Sequence, residues 1–280
     1  MHVPVPPLLR YIFTVTSRDT LQYREVLRRT HEACRPAVYV EIGVKYGGSI
    51  VLAQPGTRIV GVDPSPQLRV ALPPDTDLVE ETSDDFFEHS TIADVAGAPA
   101  DLSFIDGWHA FDFALRDFRN LERNSHTSSV ILFHDCYPRN VEKQHLAADV
   151  WKLALALRDY RPDLDLRTVD TPPTGLGLVR GLDPSNTVLW DKYDEILERY
   201  RDLDFATAVE RGDLPIRRVA PTWGDIRASL PPTPFRAATT SDKLRATSRR
   251  GVRTARRFVK LTSARARNRV HRLRQKVRQQ

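Results

Sequence analysis

Along most of the chain, short apolar runs alternate with longer stretches in which apolar residues recur every three or four positions. Residues 20–33 carry the helical spacing, and Pro36 ends it before the β-rich run Val38-Tyr39-Val40. A glycine-containing turn over residues 41–49 follows, and Ile50 to Ala53 predicts a helix after it. Residues 58–63, 77–80 and 101–106 read as strands two, three and four. Phe111, Leu115, Phe118 and Leu121 then mark a helix. Residues 129–133 form a fifth strand with an apolar run, Val130 to Phe133, that predicts burial on both faces. Leu146, Val150, Trp151, Ala154 and Leu157 mark the next helix. Two last strands, 164–169 and 176–180, are joined by Thr171-Pro172-Pro173-Thr174-Gly175. A helix from Asp191 to about Leu203 places Tyr193, Ile196, Leu197 and Tyr200 on one face.

Strand–helix alternation of this kind predicts an α/β fold: a seven-stranded, mostly parallel sheet covered on both sides. The connection between the last two strands is too short for a parallel crossover, so the sheet ends with an antiparallel strand. Residues 1–205 then form the globular domain. Residues 206–240 hold five prolines and little periodicity, and read as a linker or surface wrap.

Charge separates the chain into two parts. Residues 241–280 carry 15 of the 42 Lys and Arg and one acid, Asp242, a net +14, so the remainder is net −8. Leu244, Val252, Val259, Val270, Leu273 and Val277 give this basic tail the spacing of a weakly amphipathic helix. A solvated, disordered tail is the plain reading. Contact with an anionic membrane surface is a second, at about 1 kcal/mol per basic residue. Nucleic-acid binding through phosphates is a third, weakened because Phe258 is the tail's one aromatic. Cys34 and Cys136 are the two cysteines, too few for a disulfide framework and without zinc-ligand spacing, which points to a reducing, cytoplasmic setting. Pro4, Pro6 and Pro7 interrupt the first residues, and no apolar run of about eighteen occurs, so neither a signal peptide nor a membrane span is expected.

Candidate chemistry collects where strands end, the place at which open α/β sheets bind ligands. Glu41-Ile42-Gly43-Val44-Lys45-Tyr46-Gly47-Gly48-Ser49 gives a sharp turn after the first strand and an acid able to neutralise a ligand ammonium, directly or through water. It lacks the second glycine of a dinucleotide loop, which speaks against a nicotinamide reductase. A tight turn without ligand is the alternative. Asp63 ends the second strand, 20 residues after Gly43, where a carboxylate accepts ribose hydroxyls. Ser83 and Asp84 lie where an adenine amine would be met, or serve only to cap a helix ahead of Phe86. Asp106 leaves the fourth strand and His109 follows it, a base near neutral pH or a hydrogen-bonded loop histidine. His134 and Asp135 end the fifth strand. Asp106 and Asp135 would face each other and are candidate ligands for Mg²⁺, which prefers oxygen. Otherwise Asp135 caps the next segment.

Taken together, Glu41-Ile-Gly-Val with Gly47-Gly-Ser, Gly61-Val-Asp63-Pro, Phe104-Ile-Asp-Gly with His109, Asp117, and Phe133-His-Asp135 resemble the class I methyltransferases of the Methyltransferase-24 group. That group is close to macrocin O-methyltransferase and cephalosporin-hydroxylase-like proteins. The resemblance covers roughly residues 35–136. It implies a Rossmann-like doubly wound fold, S-adenosylmethionine as cofactor, and O-methylation of a small molecule or sugar. By position, Glu41, Gly43, Gly47, Ser49, Asp63 and Asp106 would meet the cofactor, and Asp106 and Asp135 would stand where metal-dependent relatives hold Mg²⁺. Such relatives follow the second aspartate with Asp or Asn; here Cys136 stands there, and a thiol is a poor Mg²⁺ ligand. A metal-free site is thus an equal reading, with His109 the preferred base, His134 the second choice and Asp106 beside them. An iron-dependent hydroxylase-like relative and a non-catalytic adaptor with a vestigial pocket are the rival functions. No clean set of two histidines and one carboxylate supports the first.

Overall fold

A computed structural model describes residues 20–138 and 147–235. Seven strands form one sheet: β1 (Val38–Ile42), β2 (Arg58–Val62), β3 (Thr76–Val79), β4 (Ala100–Ile105), β5 (Ser125–His134), β6 (Asp165–Val169) and β7 (Leu176–Arg180). Their order is β3-β2-β1-β4-β5-β7-β6. β7 runs antiparallel to both of its neighbours, and the pairings among β1 to β5 are parallel. The expected doubly wound sheet with an antiparallel last strand is therefore present.

Side chains alternate across a strand, and here both faces are buried. Val38, Val40 and Ile42 pack into one apolar layer with Ile131, Phe133 and the face of the helix Phe111–Arg123 that carries Leu115, Phe118 and Leu121. Tyr39, Ile59, Leu102, Phe104, Val130 and Leu132 pack into the other, against Val26 and Leu27 of α1 (Tyr23–Cys34). That double burial is why the strands read as nearly continuous apolar runs.

Three elements differ from the sequence expectation. Instead of a helix after the glycine turn there is a single 3-10 turn, Ile50–Leu52. Pro55 cannot extend it, and a tight turn, with Thr57 N–H donating to the Gln54 carbonyl, feeds the chain directly into β2. β5 begins four residues early, because the polar stretch 125–129 still lies beside β4 across an irregularity in register. The helix expected from Asp191 is two helices, Val188–Asp191 and Tyr193–Tyr200, broken at Lys192.

Residues 206–235 carry a helix, Trp223–Ser229, and a stretch alongside β6, where Val219 N–H donates to the Thr168 carbonyl. Phe205, Ala208, Ile226 and Leu230 are buried. The tail at 241–280 lies outside the described residues. Among the described residues, no helix is long and apolar enough to cross a membrane.

Strand order reverses between β1 and β4, and the crevice beyond their carboxyl ends is the expected binding place in such sheets.

Candidate functional site

Four parallel strands deliver their final residues to this one edge. Glu41 is the fourth residue of β1 and is fully buried. Its carboxyl accepts hydrogen bonds from the Tyr39 hydroxyl at 2.7 Å and the Ser49 hydroxyl at 2.7 Å, so Ser49 ties the end of the glycine loop back to the strand. Burial pushes the Glu41 carboxyl up to about 8, against the downward pull of those two hydroxyls. Gly43 has φ +89°, and a side chain there would strike the Asp106 carbonyl. β1 and β4 are joined at this point by the Asp106 N–H, which donates to the Ile42 carbonyl at 2.8 Å. Gly47, at φ +79°, lies under Leu68, Val70 and Leu72 of the loop after β2.

Asp63 braces this loop. One carboxylate oxygen accepts the Lys45 N–H at 2.7 Å and the other the Ser65 N–H at 2.8 Å. A carboxylate has about four acceptor sites, so both oxygens retain capacity for a ligand.

Ser83 opens α2 (Ser83–His89), but the helix is capped by Thr82, whose hydroxyl accepts the Asp85 N–H. Ser83 hydrogen-bonds to Asp117 of the helix Phe111–Arg123, a buried carboxyl that burial raises to about 7. Asp84 is half exposed, and its carboxylate receives Arg116 Nε at 3.0 Å.

The remaining candidates meet in one cluster. His109 Nδ1 is 3.1 Å from Asp135 Oδ2, and its Nε2 is 3.5 Å from Asp106 Oδ1. His134 Nδ1 is 3.2 Å from Asp135 Oδ1 and 3.5 Å from Asp106 Oδ1. Asp106 and Asp135 are thus bridged by two imidazoles. Burial opposes charging His134, but the two carboxylates outweigh it and hold its pKa up at about 9. Burial likewise opposes ionisation of Asp106, and its hydrogen bonds to His109 and His134 outweigh it, holding the carboxyl well below the usual range. Asp135 has φ +63°, a left-handed conformation that aspartate tolerates better than most residues.

Two side chains at this cluster were not legible in the sequence. The Tyr23 ring lies 4.2 Å from that of His134, centroid to centroid. The Thr174 hydroxyl donates to Asp135 Oδ1, brought there by the turn between β6 and β7. Cys136 is buried in the apolar core, so the position after Asp135 supplies packing.

Asp106, His134 and Asp135 each offer one ligand atom, all within 4.8 Å of one another. The set fits Mg²⁺ poorly. Its third donor is an imidazole nitrogen, which suits Zn, Cu, Fe or Ni better, and that imidazole is a cation at neutral pH.

Residues 40–136 match the family model described as a methyltransferase domain, Methyltransferase-24. No curated protein matches the chain. Among solved structures, cofactor-bound Rv0187 from MTB is similar at 18% identity and a TM-score of 0.47, over 61% of this chain and 83% of that one. The SAH-bound methyltransferase PaMTH1 of Podospora anserina is 17% identical at a TM-score of 0.46, over 63% and 85%. The O-methyltransferase TomG of Streptomyces achromogenes, involved in tomaymycin synthesis and solved with SAM, is 15% identical at 0.42, over 57% and 79%. Over residues 40–136 the chain is thus similar to the methyltransferase domain of the Methyltransferase-24 family.

Proposed function

We propose that this chain transfers a methyl group from S-adenosylmethionine to a hydroxyl oxygen of a small molecule or sugar, with His109 as base. The observation that carries the reading is an imidazole oriented by a buried carboxylate, His109 against Asp135 at 3.1 Å, at the strand edge that also holds Glu41, Gly43 and Asp63. Glu41 would take the cofactor's ammonium, Asp63 its ribose hydroxyls, and Ser83 and Asp84 would lie beside its adenine, with Gly43, Gly47, Ser49 and Asp106 shaping the pocket. Bound S-adenosylmethionine supplies a methyl group on a sulfonium, a good leaving group whose charge disappears on transfer. The chain's own task is then chiefly positioning, which is worth about 7–11 kcal/mol in well-aligned reactions. A hydroxyl acceptor must also lose a proton. Asp135 holds the His109 ring through Nδ1 and stabilises the imidazolium, while Nε2, in the longer contact of 3.5 Å to Asp106, is the atom proposed to accept the proton as the acceptor displaces that contact.

The experiment is calorimetric titration with S-adenosylhomocysteine, followed by methyl transfer to a panel of hydroxyl acceptors. Micromolar binding that Asp63→Ala weakens by about 10–100-fold is expected from lost charge-assisted hydrogen bonds. A well-folded wild type that binds nothing would overturn the reading.

A metal-assisted route is the second reading, favoured by the three donors of Asp106, His134 and Asp135. Turnover unchanged by EDTA supports the metal-free route; loss on EDTA with recovery on an added divalent metal that accepts imidazole, such as Zn²⁺ or Fe²⁺, supports the other. The net +14 of the tail supports contact with an anionic surface, a membrane before a nucleic acid.

Glu41 adds a proton signature. With its carboxyl at about 8, it is protonated in the free protein at pH 7. Between about pH 4.5 and 8 the folded state holds a proton that the unfolded state releases, so this group makes stability fall as pH rises. A ligand ammonium beside Glu41 draws the proton off. Binding enthalpies measured at pH 7 in phosphate and in Tris should therefore differ for the wild type by close to one proton's ionisation heat, and agree for Glu41→Gln. Equal wild-type enthalpies would show that Glu41 keeps its proton.

A further inference from the structure

Helix α1 is held over the site by contacts far away in sequence. Leu21 N–H donates to the Pro221 carbonyl at 2.9 Å, and the Leu21 carbonyl accepts the Thr171 hydroxyl at 2.6 Å. The first turn is thereby fixed above the strand edge. Tyr23 covers His134, and Arg24 reaches the glycine loop. A Cβ placed on Gly48 would stand 3.0, 3.1 and 3.2 Å from Arg24 Nη2, Cζ and Nη1, so the guanidinium lies flat on the face that glycine leaves open.

This guanidinium is underused. Its one hydrogen bond among the described residues runs from Nε to the Tyr23 hydroxyl at 3.1 Å, which leaves both terminal nitrogens. No ion pair joins it to an acid among the described residues, although its charge is felt at Glu41. Other arginines of α1 behave differently: Arg28 and Arg29 both pair with Glu25. Arg24 is thus a cation facing the glycine loop, with a buried acid at the other end of the same loop.

An amino-acid group presents an ammonium and a carboxylate only a few bonds apart. Arg24 and Glu41, once the ammonium has drawn off its proton, offer the opposite charges across residues 41–48, and a guanidinium meets a carboxylate through two parallel hydrogen bonds. We propose that Arg24 binds the carboxylate of the cofactor's amino-acid end while Glu41 takes its ammonium, making α1 part of the cofactor site. This deepens the cofactor reading above and rests on it. It also assigns a task to α1, which precedes the matched residues 40–136.

The test compares two ligands on the full chain by calorimetry: S-adenosylhomocysteine, which has the amino-acid end, and 5′-methylthioadenosine, which lacks it. Arg24→Met keeps the apolar stem and removes the fork. It should weaken S-adenosylhomocysteine by about 10–100-fold and leave 5′-methylthioadenosine within about twofold, with Arg24→Lys between the two. Unchanged S-adenosylhomocysteine binding would overturn the proposal and leave the cofactor reading intact. Equal weakening of both ligands would also overturn it, because a role in holding α1 down affects the whole pocket. A wild type that binds neither ligand removes the cofactor reading itself.

Discussion

His109→Ala is expected to bind S-adenosylhomocysteine within about twofold of wild type and to turn over about 10²–10⁴-fold more slowly, the range for losing a general base. Its side chain is partly exposed and belongs to none of the proposed cofactor contacts, so its loss removes little packing. Asp135 keeps the Thr174 hydroxyl and His134 when His109 is gone, and Asp106 keeps His134. The charge balance of the cluster survives. Unchanged turnover in His109→Ala would remove it from the role. His134 is the weaker candidate on chemical grounds: with its pKa at about 9 it already carries a proton at neutral pH and cannot take one from the acceptor. Its charge serves to hold two carboxylates together. That contribution is present below about pH 6.5 and is lost as pH rises through about 9, because the folded state raises its pKa. Thermal melts at pH 7 should therefore separate the pair, with His134→Ala destabilised and His109→Ala close to wild type.

The sheet was legible because its central strands are buried on both faces, and their apolar runs stand out from the helical spacing between them. The polar start of β5 had no such signal: residues 126–128 are not buried, and only their pairing makes them strand. After the glycine loop, the four apolar residues Ile50 to Ala53 carry a helix signal, but Pro55 leaves room for only one turn. At the site, residues that end strands were legible, since the glycine loop and each acid stand at a predictable place in the alternation. Tyr23, Arg24 and Thr174 were not. Each reaches the cluster through tertiary contacts, such as that of Thr171 with Leu21 across 150 positions, and nothing in its immediate neighbours marks it. Polar residues at the tips of parallel strands are therefore readable one strand at a time. Residues supplied by a helix folded over the edge become visible only when the edge is built.

The loop itself gives the sharpest structural contrast, between two glycines four residues apart. Both have positive φ, +89° at Gly43 and +79° at Gly47, which costs a side-chain-bearing residue about 1–2 kcal/mol. Their surroundings differ. A Cβ on Gly43 would lie 2.1 Å from the Asp106 carbonyl oxygen and 2.6 Å from Gly107 Cα, all of it backbone, at the seam where β1 meets β4. A Cβ on Gly47 would first meet Val70 Cγ2 at 3.0 Å and Leu68 Cδ2 at 3.3 Å, the ends of side chains on an exposed loop. Such ends move and backbone at a strand junction does not. Gly43→Ala is accordingly expected to lose about 3–5 kcal/mol, conformational strain and overpacking together, and with it all measurable S-adenosylhomocysteine binding. Gly47→Ala should lose only about 1–2 kcal/mol and still bind. Urea unfolding of the two variants beside the wild type measures the difference. A Gly43→Ala protein as stable as Gly47→Ala would mean that the β1–β4 seam yields, and that the close approach of these two strand ends is not what shapes the pocket.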